Sequence, residues 1–285
     1  MPKSATHTSD VSGPLEEASN MAAFRFSKWF TRGWTLQELL APDELMFFDK
    51  DWLPIGTKDE LFETISSVTG IKHLFNFEDA SAAQKMSWAA KRETTRLEDQ
   101  AYCLLGIFGV NMPPLYGEGP NAFFRLQLEI MKISSDESLF AWEGDFFSKT
   151  VTSGGLLTPS PIFFRFSSDI ISLAPLWVER PPYSITNKGL EISLQLERYV
   201  SQPPHPIWKA PLNCAREDYD NRKILSILLE RDGTGTDNYR RFETSRLPSY
   251  YLEPQVNSKS PSKALQVIYV KQPQIYSSTR TYCYF

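Results

Sequence analysis

The spacing of apolar residues changes part-way along this chain, and no single class of secondary structure accommodates both spacings. Up to about Glu143 apolar residues recur at helical intervals behind recognisable start signals; beyond it they fall in short alternating runs among Gly, Ser and Pro. Thr57 to Glu60 and Ser81 to Gln84 have capping-box spacing, in which a hydroxyl and a carboxyl or amide three residues on satisfy backbone donors that a helix start leaves unpaired. The first predicts a helix burying Leu61, Phe62, Ile65 and Val68 and stopping at Gly70; the second leads into QKMSWAAKRE. A third box, Thr95 to Glu98, heads the strongest helical run, with Leu97, Ala101, Leu104, Leu105 and Phe108 on one continuous face and Cys103 opposite it. Asn111 to Pro114 breaks that run. Pro120 restarts a helix on which Phe123, Leu126, Ile130 and Ile133 form one arc, Phe124, Leu128 and Met131 widen it, and Arg125, Glu129 and Lys132 form the polar edge. Trp34 to Leu40 predicts a further helix stopped by Ala41-Pro42, and Leu45 to Phe48 a short strand.

In the second half, YSITNKGLEISLQL from Tyr183 to Leu196 predicts two strands about a Thr-Asn-Lys-Gly turn, with Leu190, Ile192, Leu194 and Leu196 on one face. Lys223 to Glu230 and Leu265 to Val270 are further strands, and Asp232 to Gly235 is a hairpin-type turn. The expected fold class is α+β: a disordered tail over residues 1–22, a helical unit over 23–145, and a mostly antiparallel, sandwich-like β domain over 146–285, with the boundary near residue 150.

Composition narrows the function. The chain of 285 residues is 41% hydrophobic and 13% aromatic, enough for one large or two ordinary domains. A formal charge of -4 with Lys and Arg scattered argues against a nucleic-acid partner. Cys103, Cys214 and Cys283 are too few and too far apart for a disulfide framework or a CxxC metal site, and they suit a reducing compartment. His7, His73 and His205 are isolated, so no metal is expected. The N-terminal stretch has no apolar core of a signal peptide, and no run approaches the roughly 18 to 20 apolar residues of a membrane span, so a cytoplasmic location is expected. Gly117-Glu118-Gly119 lacks the spacing of a phosphate loop, and DGTGTD from Asp232 to Asp237 lacks that of a calcium loop.

Two runs, RGWTLQELLAP from Arg32 to Pro42 and TTRLEDQAYCLLGIFGVNMPPLYGEG from Thr94 to Gly119, resemble the C-terminal half of the fungal heterokaryon-incompatibility (HET) domain and the segment that follows it. The resemblance covers about Ser27 to Trp142, and PYSITNKGLEISLQL and APLNCA look like the β-rich region that follows in some of these proteins. The first half of that domain, with its Ser-His-Thr-Trp-like and Trp-Ile-Asp-rich strands, has no counterpart before Phe24, so the resemblance implies a truncated member. It implies a TIR-like fold and a part in intracellular non-self recognition and cell-death signalling through protein contacts, with intact HET-domain relatives as candidate partners. NAD-cleaving TIR proteins use a glutamate in a Trp-x-x-x-Glu helix, and that carry-over falls on Trp34 and Glu38, with NAD as substrate and no bound cofactor. There Glu38 would hold ribose hydroxyls and stabilise an oxocarbenium-like centre as nicotinamide leaves. A third reading is a ligand-binding β domain on a helical adaptor. Trp34 and, around the second run, Arg96, Glu98, Asp99, Tyr116 and Glu118 are expected to be structural or interface residues. The acids suit a helix start, and Arg96 with Glu118 is the alternative, a buried ion pair across the loop.

Overall fold

The computed structural model describes residues 4–13, 18–144, 153–174, 179–200, 206–217, 223–233, 237–242, 247–251 and 264–272. Strand β1 (Ser4–His7) precedes helices α1 (Ala18–Arg25) and α2 (Thr35–Leu40), and strands β2 (Leu45–Phe48) and β3 (Pro54–Thr57) follow. They make a three-stranded sheet in the order β1-β2-β3, with β1 parallel to β2 and β3 antiparallel to it. On β2 the alternation places Leu45 and Phe47 inward, where Phe47 meets Phe24 at 5.5 Å and Trp29 at 5.2 Å, both edge-on.

For residues 4–13 and 18–22 this corrects the disordered tail expected over residues 1–22. Val11 is fully buried, the Trp29 indole N–H donates to the Thr6 hydroxyl at 2.8 Å, and the Asp10 carboxylate accepts from the Ser27 hydroxyl at 2.6 Å and the Lys28 N–H at 2.7 Å. The segment is poor in apolar residues, so its composition conceals an order supplied by hydrogen bonds from residues far along the chain. It also corrects the helical description of the first unit, which holds a small sheet between its helices.

Helix α3 (Phe62–Thr69) ends at Gly70 with φ +71; the Thr57/Glu60 box forms reciprocally, Thr57 N–H donating to Glu60 at 2.7 Å and Glu60 N–H to the Thr57 hydroxyl at 3.2 Å, but in the turn ahead of the helix, whose own N-cap, Leu61, has no side-chain cap bond. Helix α4 (Ala82–Ala89) starts on the Ser81/Gln84 box. The third box does not form. Residues 95–108 are two four-residue helices, α5 (Asp99–Tyr102) and α6 (Leu105–Phe108), in place of one continuous helix. Glu98 directs its carboxylate to a later loop, no side chain caps α5, and Leu97 is left 47% exposed while Ala101 and Leu104 are buried. Cys103, expected on the polar side, is buried by the same rearrangement. Helix α7 (Asn121–Ile133) buries Phe123, Leu126 and Ile130 against α5, but Ile133, at its open end, is exposed.

The later strands are β4 (Ser153–Gly154), β5 (Ile170–Ser172), β6 (Ser184–Thr186), β7 (Gly189–Leu194), β8 (Glu197–Val200), β9 (Ile207–Arg216), β10 (Lys223–Arg231), β11 (Asn238–Phe242), β12 (Ser249–Tyr251) and β13 (Gln266–Val270). They join in one ten-stranded sheet of order β5-β9-β10-β11-β13-β7-β6, with β8 beside β9, β12 beside β10 and β4 beside β11. Within this sheet only β11 and β13 pair in parallel among the described strands. On β7, Leu190, Ile192 and Leu194 point inward, whereas β10 is buried on both faces from Ile224 to Glu230, consistent with an apolar run interrupted only at Ser226 before it ends at Glu230. The expected boundary near residue 150, His205, Cys283 and the Thr234-Gly235 part of the turn lie outside the described residues. One hydrophobic cluster includes Phe47, Leu104 and Leu126 from the first half and Leu194, Leu212 and Leu229 from the second.

Lys58 is 1% exposed, its ammonium donating to the Pro42 carbonyl at 3.0 Å and lying 4.8 Å from the centre of the Phe75 ring. Burial pushes its pKa down to about 8 from 10.5, against the opposing pull of Asp43 and Glu78. Between those values the unfolded chain holds the proton and the folded chain has released it, so this residue's contribution to stability rises with pH across the interval. Urea unfolding should therefore show wild type gaining on Lys58→Met from about pH 8 to about pH 10. A difference that stays flat over that range would show that the ammonium is not desolvated.

Candidate functional site

Five of the six residues expected to be structural or interface groups meet in one knot. The Glu98 carboxylate accepts the N–H of Gly117 at 2.8 Å and of Gly119 at 3.0 Å. Both donors converge because Gly117 and Gly119 take φ +100 and +56, open to glycine and strained for other residues. Burial opposes the charge on Glu98, but these N–H groups, its own, and the nearby Arg96 outweigh it and hold the carboxyl below its usual pKa. Asp99 accepts the Tyr116 hydroxyl at 3.1 Å, and the Arg96 guanidinium lies over the Tyr116 ring at 4.3 Å. The Tyr102 hydroxyl accepts the Leu115 N–H at 2.7 Å and lies 2.9 Å from Glu118. Glu118 pairs with Arg125, whose other terminal nitrogen donates to the Pro113 carbonyl at 2.9 Å. The ion pair offered for Arg96 and Glu118 is thus replaced by Arg125 and Glu118, because α7 brings Arg125 to the loop while Arg96 stacks on the aromatic ring.

Trp34 and Glu38 lie apart from this knot. Helix α2 buries Thr35, Leu36, Leu39 and Leu40 and turns Trp34, 43% exposed, and Glu38 to solvent. The helix is seated by the segment after Arg92: Gly33 N–H donates to the Glu93 carbonyl at 2.8 Å, and Gln37 donates to the Cys103 carbonyl at 2.7 Å. A Cβ at Gly33 would stand 2.4 Å from the Thr94 methyl, so only glycine permits this approach. The two runs that stand out in the sequence are therefore neighbours in space. Glu38 makes no hydrogen bond or ion pair among the described residues, and it lines neither a cleft of about 230 Å³ between α7 and β6 nor one of about 360 Å³ at the β6–β7 turn.

Other chemistry is equally bounded. Burial raises the Cys103 thiol to about 12, and Cys214 also rises with burial, so neither is a ready nucleophile. Among the described residues no group of His, Cys, Asp and Glu could hold a metal ion, and no helix is long and apolar enough to cross a membrane. The sequence reading missed Tyr102, Arg125 and Arg92. Arg92 is buried and donates to the carbonyls of Trp88 and Arg32 and to the Thr35 hydroxyl. An arginine after the Trp88 helix carries no local signal of such a role, and only the contact with α2 reveals it.

Glu98→Ala should cost about 2 kcal/mol, as loss of a charged acceptor with two main-chain donors, whereas Leu97→Ala beside it should stay within about 0.5 kcal/mol. Chemical denaturation of the two variants checks this, and equal effects would refute the knot as an anchor.

A stretch of 115 residues is 46% identical to the vegetative incompatibility protein HET-E-1 of Podospora anserina. It covers 39% of this chain and 8% of that protein. No family model matches the chain, and no solved structure matches it. Over that stretch the chain is therefore similar to a protein of fungal vegetative incompatibility.

Proposed function

We propose that this chain acts by protein contacts in fungal non-self recognition and does not cleave NAD. The similarity to an incompatibility protein supports the process, and the geometry around Glu38 supports the mode of action. The observation that carries the reading is the contrast between the two sets of residues. Arg96, Glu98, Asp99, Tyr116 and Glu118 are committed to one another, while Glu38 stands in solvent without groups to position a substrate. One carboxylate without positioning partners forgoes most of what proximity and preorganised electrostatics contribute to a rate. The knot in turn fixes Leu115 and Tyr116 outward, both about half exposed, on a loop whose backbone is already bonded. Preorganised aromatic and aliphatic groups of that kind suit a protein interface. The TIR-like fold and the cytoplasmic location belong to this same proposal.

A second reading keeps Glu38 as a residual NAD glycohydrolase residue, since Trp34 and Glu38 do share the solvent face of α2. Incubating the purified chain with NAD and assaying nicotinamide by chromatography separates the two. No release is expected from wild type or Glu38→Ala, and the purified matched stretch of the Podospora protein is expected to bind both alike. Nicotinamide release that disappears in Glu38→Ala, with the fold retained, would overturn the contact reading and make Glu38 catalytic.

A further inference from the structure

Residues 95–108 have the capping-box spacing and the continuous apolar face of one helix, yet they fold as α5 and α6 with a break between them. The two residues in the break, Cys103 and Leu104, both keep right-handed helical backbone angles, so no forbidden conformation forces it. A side chain does. The Gln37 amide of α2 donates to the Cys103 carbonyl at 2.7 Å, and that carbonyl is the acceptor the Ile107 N–H would use in an unbroken helix. Ile107 N–H meets no backbone carbonyl among the described residues, and Leu104 N–H reaches back only three residues, to Ala101 at 3.0 Å. A side chain inserted into the ladder kinks a helix, and a short 3₁₀ stretch within one often marks a hinge.

The break bears on the knot. Glu98 and Asp99 head α5 and Tyr102 ends it, and all three grip the 115–119 loop, which follows α6. A change in the angle between α5 and α6 therefore draws grip and loop apart. An unbroken helix would exchange three hydrogen bonds for three. Those from Gln37 to Cys103 and from Gly117 and Gly119 to Glu98 would give way to one from Ile107 to Cys103 and the reciprocal pair of the Thr95/Glu98 box. The Thr95 hydroxyl is open for that pair, with no hydrogen bond among the described residues, and Leu97, now half exposed, would join the buried face of Ala101 and Leu104. One arrangement is favoured by neighbours in sequence and the other by distant partners, and such a conflict makes an element bistable.

We infer that Gln37 is the wedge of a conformational switch. In place, it keeps α5 and α6 apart and the knot closed; withdrawn, it lets the helices join and frees the loop that carries Leu115 and Tyr116. Gln37 stands on α2 beside Glu38, whose face with Trp34 is open to solvent, so a protein that binds that face and shifts α2 moves the wedge. The inference rests on the reading that the chain works through protein contacts, and it links one contact surface, the outer face of α2, to a second, the knot loop.

Backbone hydrogen exchange of the full chain, read residue by residue, tests this. Gln37→Met keeps the side-chain length and loses the donor. In it the Ile107 amide should exchange roughly tenfold more slowly than in wild type, while Gly117 and Gly119 exchange roughly tenfold faster. Loss of a merely structural hydrogen bond would speed exchange at all three. Thr95→Val alone should change none of them, and added to Gln37→Met it should bring Gly117 and Gly119 back toward wild type, because the joined helix has lost its box. Gly117→Ala works the switch from the other end: its Cβ meets nothing within 4 Å, but its φ of +100 is strained, so it too should slow Ile107. Ile107 exchanging at the wild-type rate or faster in Gln37→Met or in Gly117→Ala would overturn the proposal, as would a Thr95→Val addition that leaves Gly117 and Gly119 fast. Should Gln37→Met fail to fold, Gly117→Ala decides alone. The free chain is measured without NAD or any partner, so failure here leaves the contact reading to be judged by its own assays.

Discussion

Three consecutive residues, Asp136, Glu137 and Ser138, hold the two halves of the protein together. Asp136 accepts the Ala82 N–H at 2.6 Å and the Ser138 hydroxyl accepts that of Ala83 at 3.0 Å, so both satisfy donors at the start of α4. Between them Glu137 points the other way and accepts the N–H of Asn213 on β9 at 2.8 Å and its side-chain amide at 2.9 Å, while pairing with Arg180. Ser81, the cap of α4, donates in turn to the Ile170 carbonyl on β5 at 2.6 Å. Helix α4 and the large sheet are thereby placed by one short turn. Burial works to raise the pKa of Glu137 against the pull of Arg180, so the group is held by its partners at a cost in desolvation, and removing one partner would leave a charge stranded in the core.

Two buried arginines extend the same logic with main-chain acceptors. Arg241, on β11, donates to the Phe140 carbonyl at 3.1 Å and the Trp142 carbonyl at 2.6 Å, and its guanidinium lies 3.9 Å from the centre of the Trp142 ring. Burial pushes it down to about 9, and pushes Arg92, which holds the Arg32 carbonyl and the Thr35 hydroxyl, to about 10. A planar guanidinium reaches several carbonyls at once, which lets each residue fasten a segment that regular secondary structure leaves unpaired. A lysine ammonium would stack less well and lose its proton more readily.

These fastenings explain why the two distinctive runs behave so differently. The Thr94 to Gly119 run closes on itself through Glu98, Asp99, Tyr102 and Glu118, and its polar groups are consumed in shaping the loop. The Arg32 to Pro42 run is seated by Gly33 and Gln37 on that scaffold and offers its remaining face, with Trp34 and Glu38, to solvent. A rigid support beneath an open surface is what the proposed contact function rests on. Catalysis at a carboxylate would need the reverse, with donors converging on an enclosed position.

The features legible in the amino-acid order are those whose partners lie within a few residues. The Ser81/Gln84 and Thr57/Glu60 boxes, the stop at Gly70, the β6–β7 hairpin and the inward face of β7 all depend on local hydrogen bonds or on alternation along one strand. The knot could be located from its residues but not wired from them. Glu98 occupies a capping position, yet it bonds Gly117, 19 residues on, and Glu118, for which the residues suggested Arg96, pairs instead with Arg125 from α7. The parallel pairing of β1 with β2 was out of reach for the same reason. Residues Ser4–His7 have little apolar content, and their partner strand begins at Leu45. Propensity and periodicity sum over neighbours, so they marked those helices, turns and strands whose stabilising contacts are local. Tertiary packing alone decided which buried donor each carboxylate would meet, because that choice is made between groups that only the folded chain brings within hydrogen-bonding distance.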